Sequence, residues 1–524
     1  MHNNPQKQIS LFQQIIPKPP FILTVLLLSL FLRGVTLEYG NLIDPTETRY
    51  ATIAENMLTS GDWITPRLPT DNGLEPYLSK PPLHYWLTAL SYSFFGIDEW
   101  TSRLPSFLGL LLIIGSVIIF ASKFLSKKCG YIAGVICITS PLMFFLGGSS
   151  TVDVTFSGFT SSAIVAFAFA IKFYEDKRSS ILVSMLFFIF SALAFLTKGP
   201  SAIIIIGLPI VALCIFDRSI KCLRGLSWIS GIVIFSAICG PWFYRLESST
   251  PGSVWYFFAH ENFLRFTTKE YGGKYGAAHI EPYGSIWWMV FLSMLPWSFY
   301  IFRSLRNHLK IIKIYDDKMP YRWIFFVLAW GLTPILFFTF ARSILPAYVI
   351  PAIPGLALYI GYFFENLPKN ICINESKKSK IDWFPVFSRP DCVAKIGIAM
   401  LAFMMISFII AAPIIEVNKS SSELLAVIVS RLKSSNPIIA TVSNNDYSPY
   451  WTSGAHEQEL SKPIQIVYAN PSEIKSAKYK NVIIREKEGN PFLEKNGNNY
   501  EKCESLGNWH WYRRIDGSRI PRCN

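Results

Sequence analysis

The stretch from Asn41 to Pro82 reads NLIDPTETRYATIAENMLTSGDWITPRLPTDNGLEPYLSKPP, and a long apolar segment lies on each side of it. Its acids, bases and tyrosines are costly to keep between membrane spans unless water or a ligand meets them. Asp44-Pro45-Thr46-Glu47 has the pattern of a helix start, with acids near the amide-rich N-terminus. An apolar face follows, formed by Ala51, Ile53, Ala54, Met57 and Leu58. We therefore predict a structured loop whose helix lies along the membrane surface.

The composition is that of a polytopic membrane protein. Of the 524 residues, 51% are hydrophobic, 15% are aromatic and only 16% are charged, whereas soluble domains carry about a quarter charged residues. The mean hydropathy is +0.32, and apolar runs long enough to cross roughly 30 Å of hydrocarbon recur along the chain. The net charge of +14 is explained by basic cytoplasmic loops. No Arg-rich stripe with interleaved aromatics indicates nucleic-acid binding.

Residues 1–417 are predicted to form a transmembrane domain of roughly 11–13 helices, with a first outer loop over 40–103. The first apolar segment lacks a cleavage site and is interpreted as an anchor. The predicted spans are 21–37, 104–124, 131–147, 156–174, 181–197, 200–216, 226–244, 286–302, 321–341, 346–364 and 394–415. The pattern of residues 418–524 predicts a small α/β domain, whose role is structural or acceptor-binding. Its predicted elements are a helix over 424–432 and strands over 438–442 and 481–485.

Basic residues predict the orientation of the chain in the membrane. They concentrate in alternate loops, at 123–128, 172–178, 218–224, 303–322 and 369–389. The positive-inside rule places these loops and the N-terminus in the cytoplasm. The opposite, periplasmic side then holds the first outer loop, the 148–155 turn, Lys198, the 245–285 loop and the chain beyond Glu416.

Nine cysteines are scattered along the chain, and no CxxC pair indicates a zinc or iron–sulfur site. Cys503 and Cys523 both lie in the polar C-terminal region. A disulfide between them requires that this region lies outside the cytoplasm, so the sequence leaves the pairing open.

The other outer segments also contain candidate functional residues. Asp153 ends the run GGSSTVD, where a carboxylate also serves as a helix cap. Lys198 lies at a span boundary in LTKGP, where a snorkelling lysine is the alternative. His260 and Arg265 lie in the amphipathic run WYFFAHENFLRF, which presents them together. Three prolines in residues 341–354, ARSILPAYVIPAIP, are typical of backbone that lines a cavity.

Several of these motifs together resemble the GT-C glycosyltransferases, most closely the bacterial aminoarabinose transferases of lipid A and the protein mannosyltransferases. The motifs are TETRYATIAENMLTSGDWITPRL, YLSKPPLHYWLTALSYSFFG, RLPS, TKGP, HENFLRF and LPAYVIPAIPG, and they cover most of residues 40–360. The resemblance implies a multi-helix membrane domain with juxtamembrane helices and a periplasmic C-terminal domain. It also implies transfer of a sugar from polyprenyl phosphate, undecaprenyl phosphate in bacteria, to an acceptor on the outer side.

The resemblance and the residue chemistry together assign roles to eleven residues. The candidate catalytic carboxylates are Glu47, Asp44 and Asp153. The candidate ligands of the donor phosphate are Arg49, Lys80, Lys198, His260 and Arg265, because a leaving phosphate needs preorganised basic donors. The candidate substrate-binding tyrosines are Tyr50, Tyr77 and Tyr348. Direct displacement at the anomeric carbon would invert its configuration.

Two departures from the related sequences affect the expected chemistry. Thr46 occupies the first acidic position of the loop motif, which leaves Glu47 and the upstream Asp44. Ser79 replaces the acid that precedes the lysine of the Lys-Pro-Pro motif, and so removes a plausible metal ligand near His260. We therefore expect neither a metal nor another cofactor.

Two other functions fit parts of the pattern. A transporter or flippase of lipid-linked saccharides also places charges near spans, but it predicts internal repeats with broken helices at the midplane. Within the enzyme class, a protein O-glycosyltransferase is the alternative to transfer onto lipid A or another envelope glycan. In each case the expected partners are a lipid-linked saccharide and membrane lipids, at the bacterial inner membrane.

The basic-loop pattern generates a topology prediction. Reporters fused after Glu416 or within 246–284 are expected to report the periplasm, and a reporter at Lys377 the cytoplasm. Paired phosphatase and fluorescent-protein fusions measure this directly. A cytoplasmic C-terminal domain would contradict the whole assignment of candidate residues to one outer site.

Overall fold

The structure, a computed structural model, describes residues 19–268, 280–302, 304, 321–366, 390–432, 437–442, 447–455, 464–469, 478–485 and 500–515. Its main helices are Pro19–Val35 (α1), Thr46–Ser60 (α2), Leu83–Phe95 (α3), Glu99–Phe124 (α4), Lys127–Ile138 (α5), Pro141–Leu146 (α6), Val152–Glu175 (α7), Ile181–Lys198 (α8), Ser201–Phe216 (α9), Trp228–Ser249 (α10), Ser285–Ser293 (α11), Tyr321–Thr339 (α12), Ile353–Asn366 (α13), Pro390–Lys419 (α14), Ser422–Arg431 (α15) and Ser448–Ala455 (α16). A π-helix spans Tyr256–Leu264, and a 3-10 helix over Pro346–Ala352 leads into α13. The strands are Arg67–Thr70 (β1), Gly73–Pro76 (β2), Ile438–Val442 (β3), Gln465–Ala469 (β4), Asn481–Arg485 (β5), Tyr500–Leu506 (β6) and Trp509–Arg514 (β7).

Seven helices in the described part of the chain are long and apolar enough to cross a membrane. Six of them are α4, α7, α8, α10, α12 and α14, and the seventh runs from Pro346 to Glu365 through α13. Shorter apolar helices are α1 and α9. The predicted polytopic helical fold is thereby confirmed.

Two of the predicted spans are each divided at a proline. Over 131–147, α5 ends at Ile138 and α6 begins at Pro141. Over 286–302, α11 ends at Ser293, and Pro296 lies in the turn that follows. Proline has no amide hydrogen to continue the helical ladder, so neither segment is one continuous helix.

Helices α4 and α7 cross with their backbones in contact. A Cβ added to Gly109 would lie 2.8 Å from the Val154 carbonyl oxygen, and one added to Gly158 would lie 2.8 Å from the Gly109 carbonyl oxygen. Small residues permit this approach between membrane helices. Beside the crossing, Ser106 Oγ donates to the Thr151 carbonyl at 2.9 Å and accepts from the Thr151 amide at 3.0 Å. The turn before α7 is therefore fixed against α4.

Helix α2 of the first outer loop is buried on two sides. One side packs against α3 and α16 in a cluster of Leu42, Ala51, Ala54, Ala89, Tyr92 and Trp451. The other belongs to a cluster of Tyr50, Ile53, Met57, Leu68, Tyr77, Tyr85, Val152 and Tyr447. The sequence predicted a single apolar face on the membrane surface. The structure covers α2 further, because aromatic residues of the C-terminal region pack onto it.

The C-terminal region contains a five-stranded sheet in the order β4–β3–β5–β7–β6. Strand β3 is parallel to β4 and β5, whereas β7 is antiparallel to β5 and β6. Helix α15 covers one face through a core of Leu424, Leu425, Ile428, Leu432, Ile439, Ile483, Trp509 and Trp511. The predicted small α/β unit is confirmed, while its boundary at residue 418 stays a prediction. Cys503 is disulfide-bonded, and Cys523 lies outside the described residues.

Candidate functional site

A cavity of about 610 Å³ lies where the first outer loop meets the start of α7 and the ends of α8 and α14. Ten of the eleven residues predicted from the sequence line it. They are Asp44, Glu47, Arg49, Tyr50, Tyr77, Lys80, Asp153, Lys198, Arg265 and Tyr348. The eleventh, His260, does not line the cavity. Its ring stacks on Tyr256 with the centroids 5.1 Å apart.

Lys198 and Asp153 form an ion pair in the cavity wall. Lys198 Nζ donates to Asp153 Oδ1, and the two side chains are only 9% and 10% exposed. Thr151 Oγ1 donates to the other Asp153 oxygen at 3.4 Å. Lys198 Nζ also lies 3.9 Å from the centroid of the Tyr348 ring, which is a cation–π distance. The end of α8 and the start of α7 thus place a cation and an anion side by side.

A second network joins the first outer loop to the π-helix. The Glu261 carboxylate accepts hydrogen bonds from Ser79 Oγ at 2.9 Å, Arg265 Nη1 at 3.0 Å and Tyr256 OH at 3.2 Å. Lys80 Nζ donates to the Ser79 carbonyl at 3.0 Å. Burial and the nearby charge of Arg265 lower the pKa of Lys80. Ser79 therefore links the two segments through its hydroxyl.

A second cavity of about 420 Å³ adjoins the first. Lys80, Lys198, Arg265 and Tyr348 line both cavities. The second cavity is otherwise lined mainly by apolar residues, including Pro200, Ile204, Phe258, Phe263, Phe266, Phe337 and Phe338. Three cations therefore lie at the junction of a polar and an apolar space. This arrangement suits a ligand with an anionic head and a hydrocarbon tail.

Glu47 is engaged at both carboxylate oxygens. Oε1 accepts from Arg103 Nε at 3.1 Å and from the Ser150 amide at 2.9 Å, while Oε2 accepts from the Ile43 amide at 3.1 Å. Arg103 also donates to the carbonyls of Leu37, Tyr39 and Asn41. The geometry therefore favours an anchoring role for Glu47 over the general-base role predicted from the sequence.

Asp44 is engaged in a different way, by the C-terminal region. Its carboxylate accepts from the amides of Tyr447 at 2.9 Å and Ser448 at 3.0 Å, at the start of α16. Thr48 Oγ1 donates to it as well, and Arg485 Nη1 lies 3.9 Å from its Oδ2. The sequence offered a base or a cap of α2 as alternatives. The structure shows that Asp44 does not cap α2 but caps a helix of the C-terminal region, while its role as a base stays a prediction.

Arg49 lies apart from the cations at the junction. Its guanidinium carbon is 5.9 Å from the Tyr77 ring centroid and 5.7 Å from that of Tyr447. Arg49 lines the first cavity but not the second, as do Lys419 and Arg485. The predicted set of phosphate ligands is therefore divided, with three cations at the junction and Arg49 elsewhere in the first cavity.

The lining of the first cavity suits an anion better than a metal ion. Its basic residues are Arg49, Lys80, Lys198, Arg265, Lys419 and Arg485, against three carboxylates. Within the described residues, no group of three or more His, Cys, Asp or Glu side chains is placed to hold a metal ion. Arg and Lys donors of this kind bind phosphate groups.

Sequence reasoning missed three residues that shape the site. Arg103 lies in the RLPS motif that carried the resemblance, and its position beside an outer loop was the available signal. Tyr447 and Arg485 lie in no motif: Arg485 lines the cavity and Tyr447 contacts the lining residue Arg49, both through the fold of the C-terminal region.

The chain is similar in sequence to known membrane glycosyltransferases. Residues 79–244 match the family described as dolichyl-phosphate-mannose-protein mannosyltransferase. An undecaprenyl phosphate-α-4-amino-4-deoxy-L-arabinose arabinosyl transferase of Photorhabdus laumondii is 28% identical over 332 residues, which are 62% of this chain and 56% of that protein. The chain thus spans little more than half the length of the curated relatives it matches.

Two solved structures share the architecture. The crystal structure of ArnT from Cupriavidus metallidurans bound to undecaprenyl phosphate has a TM-score of 0.74 at 19% identity, covering 96% of this chain and 99% of that chain. The archaeal oligosaccharyltransferase AglB from Archaeoglobus fulgidus has a TM-score of 0.51 at 14% identity, covering 95% and 75%. The fold of this multi-pass membrane protein is that of the GT-C glycosyltransferases. Within that class the chain resembles the aminoarabinose transferases, which confirms the resemblance predicted from the loop motifs.

Glu47→Gln is expected to destabilise the protein. The substitution leaves Arg103 buried without its charge partner, and breaking a buried ion pair costs about 3–5 kcal/mol. Thermal unfolding in detergent, followed by intrinsic fluorescence, should therefore begin at a lower temperature.

The matched control for this prediction is Asp62→Asn. It breaks the Arg67–Asp62 pair, whose side chains are 36% and 34% exposed, and should cost less than about 1 kcal/mol. Equal melting temperatures for the two variants would show that the Glu47–Arg103 pair does not hold the loop.

Proposed function

We propose that the chain is an integral-membrane glycosyltransferase of the bacterial inner membrane. It moves a sugar from polyprenyl phosphate, such as undecaprenyl phosphate, to an acceptor on the periplasmic side, which is lipid A or another envelope glycan. The observation that carries the proposal is the junction of the two cavities, where Lys80, Lys198 and Arg265 meet an apolar space. The names of the similar proteins support this donor class, and the basic-loop pattern supports the outer side.

The two cavities accommodate different parts of such a donor. The phosphate lies at the junction, the first part of the polyprenyl chain lies in the apolar cavity, and the sugar lies in the larger polar one. The apolar side chains of the second cavity, among them Phe258, Phe266 and Phe337, match the hydrocarbon of a polyprenyl chain.

The reaction breaks the bond from the anomeric carbon to the phosphate oxygen and forms a bond to an acceptor oxygen. Negative charge develops on the leaving phosphate, and preorganised cations stabilise it. Lys198 and Arg265 are oriented for this by their pairs with Asp153 and Glu261. Attack from the face opposite the phosphate inverts the anomeric carbon.

Asp153 is the carboxylate that we assign to the acceptor hydroxyl. Asp44 and Glu47 each accept at least three hydrogen bonds, whereas Asp153 has its lysine partner and one long contact from Thr151. A phosphate at the junction shares Lys198 with Asp153 and leaves the carboxylate available to the acceptor proton. This reverses the order of candidates inferred from the sequence, which put Glu47 first.

Transfer by the purified protein tests the proposed function. Undecaprenyl phosphate carrying different sugars is incubated with lipid A, other envelope glycans and a protein acceptor, with and without EDTA. We expect transfer that EDTA does not reduce, because lysine and arginine stabilise the leaving phosphate. Movement of the lipid-linked sugar across the membrane of reconstituted vesicles, without transfer to an acceptor, would instead indicate a flippase.

Asp153→Asn is expected to lower the rate of transfer by about 10²–10⁴-fold, the contribution typical of a general base. Because the junction cations remain, binding of undecaprenyl phosphate should persist. Both quantities are measurable on the same purified protein.

The control is Asp176→Asn, which removes the aspartate of the Lys172–Asp176 pair at the other end of α7 from Asp153 and should leave transfer unchanged. An Asp153→Asn variant as active as this control would refute the assignment of Asp153 as the general base. Asp44 would then be the next carboxylate to test.

Binding of undecaprenyl phosphate is expected to weaken at alkaline pH. The pKa of Lys80 is lowered by burial and by Arg265, so Lys80 loses its charge as pH rises through a range below that of an ordinary lysine. A bound phosphate favours the charged form, and its own second pKa of about 6 is already passed. The dissociation constant measured between about pH 7.5 and pH 10 should therefore rise.

The control is Lys80→Arg, whose guanidinium stays protonated over this range. It should give a flatter profile. Equally steep profiles for the two proteins would rule out Lys80 as the titrating group.

A further inference from the structure

The C-terminal region is attached directly to the loop that carries the candidate site. Asp44 accepts the amides of Tyr447 at 2.9 Å and Ser448 at 3.0 Å. Farther along α16, Tyr450 OH donates to Asn56 Oδ1 of α2 at 3.3 Å. Helix α16 is therefore fixed to the first outer loop at two points, by the buried Asp44 carboxylate before α2 and by a side-chain hydrogen bond to Asn56 on α2.

Tyr447 contacts a basic residue of the cavity. The Arg49 guanidinium carbon lies 5.7 Å from the Tyr447 ring centroid, and Tyr77 lies at a similar distance. Tyr447 is 7% exposed and packs in one cluster with Tyr50 and Tyr77. An aromatic face at this distance favours the guanidinium charge and restricts its orientation. One tyrosine of the first outer loop and one of the C-terminal region therefore orient Arg49.

Two further basic residues, Arg485 and Lys419, also line the first cavity. Arg485 is the last residue of β5, and its side chain is 12% exposed. Lys419 is the last residue of α14, and its carbonyl accepts the Asp44 amide at 3.3 Å. Neither lines the apolar cavity. Both therefore lie away from the junction assigned to the donor phosphate.

We propose that the C-terminal region forms the acceptor-side wall of the reaction cavity, with Arg485 contacting the acceptor and Tyr447 positioning Arg49. The inference rests on the proposed glycosyl transfer and adds to it the residues that meet the second substrate. Asp44 is then the point at which this wall is fixed to the first outer loop.

Arg485 Nη1 lies 3.9 Å from the buried Asp44 carboxylate and so compensates its charge, and the Arg485 side chain also lines the first cavity. Its counterpart Arg431 in the same region pairs with Glu504 at 2.8 Å and lines neither cavity. The two arginines therefore separate a role at the cavity from a role in the stability of the region.

The experiment measures acceptor KM, kcat and the dissociation constant of undecaprenyl phosphate, with lipid A as the acceptor. Arg485→Gln should raise the acceptor KM by about 10- to 100-fold, as expected for a lost charged hydrogen bond. Tyr447→Leu should raise it by about 2- to 30-fold through loss of the cation–π contact. Arg485→Lys and Tyr447→Phe should recover much of the loss, and Arg431→Gln should leave all three quantities unchanged.

The dissociation constant of undecaprenyl phosphate should stay constant in every variant, because the three junction cations are untouched. Limited proteolysis checks that the C-terminal region remains attached. An unchanged acceptor KM in Arg485→Gln and Tyr447→Leu, or a parallel loss of donor binding, overturns the inference. If the unsubstituted protein binds no undecaprenyl phosphate and transfers no sugar, the proposed function itself fails.

Discussion

The buried ion pair between Glu47 and Arg103 is the interaction on which the cavity geometry depends. It joins the first outer loop to α4, and Glu47 also accepts the Ser150 amide from the turn before α7. Arg103 in turn donates to three carbonyls of the chain that leaves α1. Burying two charges is tolerable here because each is matched by several donors or acceptors. One pair thus fixes four segments around a single space.

The fixed frame allows like charges to lie close together at the junction. Lys198 and Arg265 each have a carboxylate partner, and Lys80 has a backbone carbonyl. Burial, together with the repulsion that remains, lowers the pKa of Lys80. A phosphate relieves this repulsion, so the arrangement favours an anionic group before any reaction begins. Its charge grows further as a glycosidic bond breaks, which is the condition for electrostatic stabilisation of a leaving group.

The sequence predicted the membrane fold, and ten of its eleven candidate site residues line the first cavity, because apolar runs and short loop motifs are local signals. It did not predict the roles of the carboxylates, since these depend on surrounding donors from elsewhere in the chain. Asp44 meets amides about 400 residues later, and Glu47 meets Arg103 across 56 residues. His260 shares its motif with Arg265, yet only Arg265 lines the cavity. Arg485 also lies in no sequence pattern that indicates its position in the cavity lining.

The proposed function depends above all on the three junction cations, which we propose bind the phosphate of a polyprenyl donor. The most direct measurement is an experimental structure of the full chain with undecaprenyl phosphate. We expect phosphate oxygens within hydrogen-bond distance of Lys80, Lys198 and Arg265, and a lipid chain along Phe258 and Phe337. A phosphate bound at Arg49 and Arg485, with the lipid chain outside the apolar cavity, would contradict it.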